Sequence, residues 1–173
     1  MNNGFTLIEL LVVLAIIIII TGIVIFNINT ERQNSALFKS VQNLSLNLRR
    51  VQNYAFSSKT FGNTGVPCGW GVHFNGVNSV SYIIFADLAV NQNCSDRDFI
   101  RAANGSEDFE IINLESGIKV SVLSGGLTDI VLTPPEPKVN FTLDQSSASI
   151  TLINKNSLTR LISINKTGFI SSP

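Results

Sequence analysis

Histidine is almost missing from this chain: His73 is the only one in 173 residues. No Ser/His/Asp set is recognisable around a single histidine, and no G-x-x-x-x-G-K-[ST] phosphate loop is present, so the sequence reads as no enzyme. His73 falls in Gly71-Val-His-Phe74, whose alternation along a strand places it on a surface rather than in the role of a base. Charge is scarce too. Charged residues make up 14% and the formal net charge is zero, so nothing draws the whole chain toward nucleic acid or anionic lipid. The two cysteines, Cys68 and Cys94, come without a Cys-x-x-Cys spacing or clustered histidines, which argues against a metal site. No cofactor is implied. The run Asp87-x-x-x-Asn-x-Asn-x-x-Asp96-x-Asp98 holds enough oxygen ligands to raise calcium, but it lacks the spacing and closing Glu of an EF-hand and reads as a solvated loop.

What the chain has in abundance lies at its N-terminus. From Phe5 to Phe26 the only interruptions of an aliphatic run are Thr6, Glu9, Thr21 and Gly22, a length that matches the roughly 20 apolar residues of a membrane-crossing helix. No Lys or Arg precedes the run and no A-x-A-like site follows it before Asn27, which excludes an ordinary secretory signal. A plain anchor accounts for the hydrophobicity but for neither Gly4 nor Glu9. A carboxylate just inside an apolar span is costly in lipid and functional by default.

The stretch Gly4-Phe-Thr-Leu-Ile-Glu9, followed by Leu-Leu-Val-Val-Leu-Ala-Ile, resembles the type IV prepilin signal. That resemblance implies a prepilin peptidase/methyltransferase as a partner, cleaving after Gly4 and methylating the new amino terminus at Phe5. Gly4 suits this step because a residue without a side chain allows close approach at the scissile bond. The segment would serve first as a single-pass anchor in the bacterial inner membrane, with the head outside the cytoplasm. It would then become the core through which pilin or pseudopilin subunits contact one another in a filament. Glu9, one helical turn beyond Phe5, would pair with the Phe5 amine of its own or a neighbouring subunit and set the register of assembly. The leader Met1-Asn2-Asn3 carries no Lys or Arg, so orientation rests on the α-amino group. A head outside the cytoplasm sits where disulfides persist. A Cys68–Cys94 bridge would close a loop of about 27 residues, worth roughly 3–4 kcal/mol; two free thiols are the alternative.

Beyond the run, Leu37, Val41, Leu44, Leu48, Val51 and Ala55 recur at spacings of four and three, one face of a helix. Lys39, Gln42, Asn43, Asn47, Arg49, Arg50 and Asn53 fill the other. A helix from about Phe5 to Ser58 follows, near 80 Å long, with a break or bend expected at Thr21-Gly22 or over Asn27–Thr30, where helix propensity is poor. The apolar stripe is expected to cover one face of a sheet. Strands are expected at 70–74, 80–86, 109–113, 118–123, 129–132, 139–143, 149–153 and 158–164, with a short piece at 168–170. Asn75-Gly76 would turn the first pair into a hairpin. Val139, Phe141 and Leu143 should share a buried face, and Pro134–Pro137 should cross between two groups of strands. The chain thus divides into a leader (1–4), an apolar helix (5–26), an amphipathic helix (27–59) and a β-rich head (60–173). The fold class is α+β: a long N-terminal helix packed on an antiparallel β-sheet head.

Leu48-Arg-Arg-Val-Gln-Asn-Tyr-Ala55, Gly71-Val-His-Phe74, Tyr82-Ile-Ile-Phe-Ala-Asp87 and Ile164-Asn-Lys-Thr-Gly-Phe-Ile170 look like the GspH/FimT group of minor pilins and pseudopilins. The resemblance implies a pilin fold and a structural, minor subunit of a type IV pilus or type II secretion pseudopilus. The alternative is a minor pilin whose head captures DNA for uptake. That would need a focused basic patch. Charge is uneven along the chain: residues 1–59 carry five bases against two acids, residues 87–136 three against nine, and residues from Lys138 onward four against one. Such a pattern could align neighbouring subunits or be scattered surface charge.

Overall fold

The computed structural model describes residues 6–88, 93–134 and 138–172, and every side chain within them except those of residues 23–27 and 96. Helix α1 (Leu7–Phe56) runs for 50 residues as one α-helix. The break expected at Thr21-Gly22 or over Asn27–Thr30 does not occur. The Thr21 hydroxyl donates back to the Ile17 carbonyl at 2.7 Å, so it finds its partner inside the helix. Extending a helix already nucleated on both sides also costs little, even through poor helix formers. The far end closes with the paired bonds of a Schellman motif: Lys59 N–H donates to the Tyr54 carbonyl at 3.0 Å and Ser58 N–H to that of Ala55 at 3.3 Å. Ser58 takes the left-handed position, φ 48°, which glycine usually fills.

Nine strands follow among the described residues: β1 (Gly69–Phe74), β2 (Ser81–Asp87), β3 (Asp108–Asn113), β4 (Lys119–Leu123), β5 (Asp129–Thr133), β6 (Lys138–Phe141), β7 (Ser147–Ile153), β8 (Thr159–Asn165) and β9 (Ile170–Ser171). All pair antiparallel, in a five-stranded sheet of order β3-β2-β1-β5-β6 and a four-stranded sheet of order β4-β7-β8-β9. The fold is α+β, as expected, but the strands divide between two sheets. Pro134–Pro137 was expected to cross between strand groups. It joins neighbours instead, because Thr133 and Lys138 are partners across β5 and β6. A connection between antiparallel neighbours need not pair in a sheet, so proline's missing donor is harmless there. Residues 135–137 of that segment lie outside the described residues. The strand through Val139 ends at Phe141, leaving Leu143 exposed.

Leu37, Val41, Leu44, Leu48, Val51 and Ala55 are all buried. They pack against both sheets, since α1 contacts β1 and β5 on one and β7, β8 and β9 on the other. Burying each Leu or Val of such a stripe stabilises the fold by about 1.5–3 kcal/mol. The polar side of the helix is partly used as well. Asn47 donates to the Tyr82 hydroxyl at 2.8 Å, and Arg50 donates to the Tyr54 hydroxyl and pairs with Glu110 on β3. Where the helix ends, Trp70 meets Tyr54 and Phe109 edge to face, at 5.1 and 5.2 Å between ring centres. The Lys59 ammonium lies 3.6 Å from the Tyr54 ring centre and 4.3 Å from that of Phe109, a cation held by ring faces.

The second face of the five-stranded sheet is covered as well over its central strands. Ile83, Phe85 and Val131 are buried yet stand apart from the cluster around the helix. A strap of chain leading from β2 to β3 lies over them. The disulfide between Cys68 and Cys94 pins it at one end. Farther along, the Arg101 N–H donates to Asp129 on β5 at 3.2 Å, and the Arg101 guanidinium pairs with Asp108. Gly71 is required beneath this layer: a Cβ there would stand 2.6 Å from the Phe85 ring.

Candidate functional site

The N-terminal end of α1 is organised by two residues of the apolar run. Thr6 is the N-cap. Its backbone N–H and hydroxyl both donate to Glu9 Oε2 at 2.9 Å, and its hydroxyl oxygen accepts the Glu9 N–H at 3.4 Å. This is a reciprocal capping box, and the pattern Thr-x-x-Glu ahead of an apolar run is its sequence signature. The sequence reading overlooked it, having assigned Glu9 a different partner. Glu9 therefore has a local structural role. Both contacts use Oε2, and among the described residues Oε1 has no partner. Gly4 and Phe5, the residues assigned to cleavage and methylation, lie outside the described residues.

Every side chain from Thr6 to Thr21 is exposed, including twelve large aliphatic residues from Leu7 to Ile20 that keep half or more of their surface in water. An apolar face of this extent is far beyond what a monomeric soluble protein normally shows and marks an interaction surface. Among the described residues, no helix is long and apolar enough to cross a membrane. Within the N-terminal run the described apolar side chains reach only from Leu7 to Ile20, short of the roughly 20 residues that a crossing requires. The expected span of 5–26 continues past that point into side chains outside the description.

Grooves border the amphipathic half of the helix on several sides, and two stand at its ends. One, of about 600 Å³, is lined by Ile28, Glu31, Arg32, Ser35, Lys39 and Glu115. The other, of about 360 Å³, runs between the helix and the β8–β9 turn and is lined by Arg49, Asn53, Phe56, Phe169 and Ile170. Gln52 ties its floor, donating to the Gly168 carbonyl at 2.5 Å.

A third concentration of polar groups lies under the strap. His73 was expected at the surface, but its side chain is only 17% exposed. The strap covers the sheet face on which it stands, and the buried carboxylate of Asp129 takes its Nδ1 at 2.8 Å. Nearby, Asp87 is fully buried, and among the described residues neither carboxylate oxygen has a hydrogen-bond partner. Burial, then the neighbouring carboxylates of Glu107 and Asp98, push its carboxyl up to about 6. Burial raises Glu107 as well, against the N–H groups of Leu88 and Ala102 that bind its carboxylate. Among the described residues, no group of three or more His, Cys, Asp or Glu is placed to hold a metal. Asn91 of the calcium-like run and the side chain of Asp96 lie outside the description. What the arrangement does chemically is hold the strap down through carboxylates and backbone N–H groups. The other ring nitrogen of His73, Nε2, meets the side-chain oxygen of Asn75 at 3.2 Å.

Residues 1–25 match the family described as the prokaryotic N-terminal methylation motif. This supports a type IV pilin-like protein. The match does not extend to the head, so the GspH/FimT likeness rests on its short motifs alone. No curated protein and no solved structure matches the chain.

Proposed function

We propose that this chain is a structural, minor subunit of a type IV pilus or type II secretion pseudopilus, inserted in the inner membrane as a prepilin. It is cut after Gly4, methylated at Phe5, and assembled through the apolar half of α1. The single observation that carries the proposal is the apolar helix that begins at a capped Thr6–Glu9 pair, inside the matched methylation motif, and ends buried in a β-rich head. An apolar helix withdrawn from lipid must find other apolar helices, and copies of the same segment supply them. Glu9 Oε1 is the oxygen left to accept the Phe5 amine of a neighbour once the cap has taken Oε2. No catalytic role is assigned to the chain.

Mass spectrometry of the protein recovered from its native membrane tests the reading. The mature chain should begin at Phe5 and carry one added methyl group on its amine. A chain retaining Met1 or Asn2 would overturn it. In a second measurement, Glu9→Leu should be processed but fail to enter filaments. Salt-dependent retention of DNA by the head would favour the uptake reading instead.

A further inference from the structure

Three connections form the end of the head nearest the apolar half of α1. Between β3 and β4, a Cβ at Gly117 would stand 2.7 Å from the Gln33 side chain, and the Glu115 N–H donates to the Ser40 hydroxyl at 3.1 Å. In the β7–β8 turn, Asn154 donates to the Asn34 side chain at 3.1 Å. The β1–β2 turn joins them: the Asn78 N–H donates to the Val120 carbonyl at 2.8 Å, and the Asn78 side-chain oxygen accepts from Lys119 Nζ at 2.9 Å. A cavity of about 460 Å³ opens among the three, lined by Val80, Gly117, Lys119, Ile153, Lys155 and Ser157.

This end of the head is apolar and basic together. Val77, Val80 and Leu158, all in these connections, are exposed. Residues 28–40 of the helix with residues 75–80, 114–119 and 154–158 carry Arg32, Lys39, Lys119 and Lys155 against Glu31 and Glu115, in a chain whose formal net charge is zero. None of the four bases forms an ion pair among the described residues.

What lies against this end follows from the helix. α1 is unbroken, so the distance from the apolar run to the head is fixed. Gln33 is seven residues past Phe26, the end of that run, which is about 10 Å along the axis. The headgroup layer outside a bilayer's hydrocarbon core is about 5–7 Å thick on each side. A spanning helix tilts by about 20° on average, which lowers one side of the head further. The long stems of Lys119 and Lys155 carry their ammonium groups across what remains.

Resting on the proposed insertion of the apolar half of α1 in the membrane, we infer that this end of the head docks on the same membrane, with the Lys119–Lys155 cavity seating the phosphate of an anionic phospholipid. The two ammonium groups supply the opposite charge, and Val77, Val80 and Leu158 meet the interfacial region, the pairing of apolar and basic groups that holds a protein on an anionic bilayer surface. The contact keeps the head against the bilayer while the subunit awaits assembly. It has to break before the helix leaves lipid.

The test uses the full chain in phosphatidylcholine nanodiscs, with or without phosphatidylglycerol. A photo-crosslinking phenylalanine analogue is placed at Val80, at Ile16 in the apolar helix, or at Phe169 beside the C-terminal half of α1. The Ile16 probe should link lipid in both bilayers and the Phe169 probe in neither. The Val80 probe should link lipid several-fold more with phosphatidylglycerol present. High salt, or Lys119→Glu with Lys155→Glu, should bring that yield down to the neutral-bilayer level while leaving the Ile16 adduct unchanged. If the Ile16 probe links lipid while the Val80 probe links none, or links a second copy, the head contact is wrong and the insertion stands. The head contact is equally wrong if its yield ignores phosphatidylglycerol, or ignores both salt and the lysine changes. If the Ile16 probe links no lipid, the insertion reading itself falls.

Discussion

Asp129 holds His73 from beneath the strap: its carboxylate takes the imidazole Nδ1 at 2.8 Å while the same oxygen accepts the Arg101 N–H. The other oxygen accepts the Thr128 hydroxyl at 2.7 Å. One buried carboxylate thereby joins β1, β5 and the strap. Asp129→Ala would leave the His73 Nδ1 and the Arg101 N–H without their partner beneath the strap, while the Thr128 hydroxyl keeps Thr142 Oγ1 at 2.9 Å. It should cost about 2–4 kcal/mol in denaturant unfolding of the detergent-solubilised chain. Asp129→Asn, which keeps one acceptor, should cost less.

Asp87 gives the head a stability that depends on pH. Its carboxyl is raised from an ordinary 3.8 to about 6, first by burial and then by Glu107 and Asp98. A carboxyl whose folded value is raised favours the fold fully below its unfolded value. That contribution is lost as pH climbs through the folded value, because ionisation is then harder in the fold than outside it. The melting temperature should therefore fall between about pH 4 and pH 6 and level off above. Glu107, raised in the same direction, adds to the slope. Asp87→Asn should flatten the profile and raise the melting temperature above pH 6 by a few degrees, in line with an effect on the order of 2–3 kcal/mol at most. A profile that rises over that window would contradict the assignment.

The disulfide pins the strap across a sequence separation of 26. Replacing both Cys68 and Cys94 with Ser should cost about 3–4 kcal/mol in the chain-entropy account. Trypsin should then cut at Arg97 and Arg101 before it cuts in the sheets. Intact strap arginines after reduction and digestion would show that the remaining contacts suffice.

At the C-terminal end of α1, Ser58 occupies a left-handed backbone position. Ser58→Gly should raise stability by roughly 0.5–1 kcal/mol, since glycine enters that region without the Cβ penalty. The measurement is the shift in denaturation midpoint at unchanged slope.

The helix stripe was readable because a helix packed on one side leaves a one-sided record: Leu37 to Ala55 keep the three-and-four spacing wherever the head touches them. The strands left theirs in runs of β-branched residues, though their partition between two sheets did not show, since pairing order is set by contacts far apart in sequence. His73 and Asp87 were misread for one shared reason. Alternation along β1 and β2 says which residues face away from the helix, but not that a polar strap returns to cover them. The capping role of Glu9 was legible in Thr-x-x-Glu and was overlooked because a charge in an apolar run invites a distant partner before a near one. The Pro134–Pro137 segment was identified as unable to pair, and that told nothing about what it connects.

Because α1 passes from its capped N-terminus to Phe56 without a break, it has no joint at which load could be absorbed. Tension applied at the apolar end travels along one hydrogen-bonded rod and enters the head through a stripe that grips both sheets at once. Pulling on the stalk therefore shears neither sheet away from the other. The weakest element under force is the rod's own grip on the head, spread over six buried apolar side chains from Leu37 to Ala55.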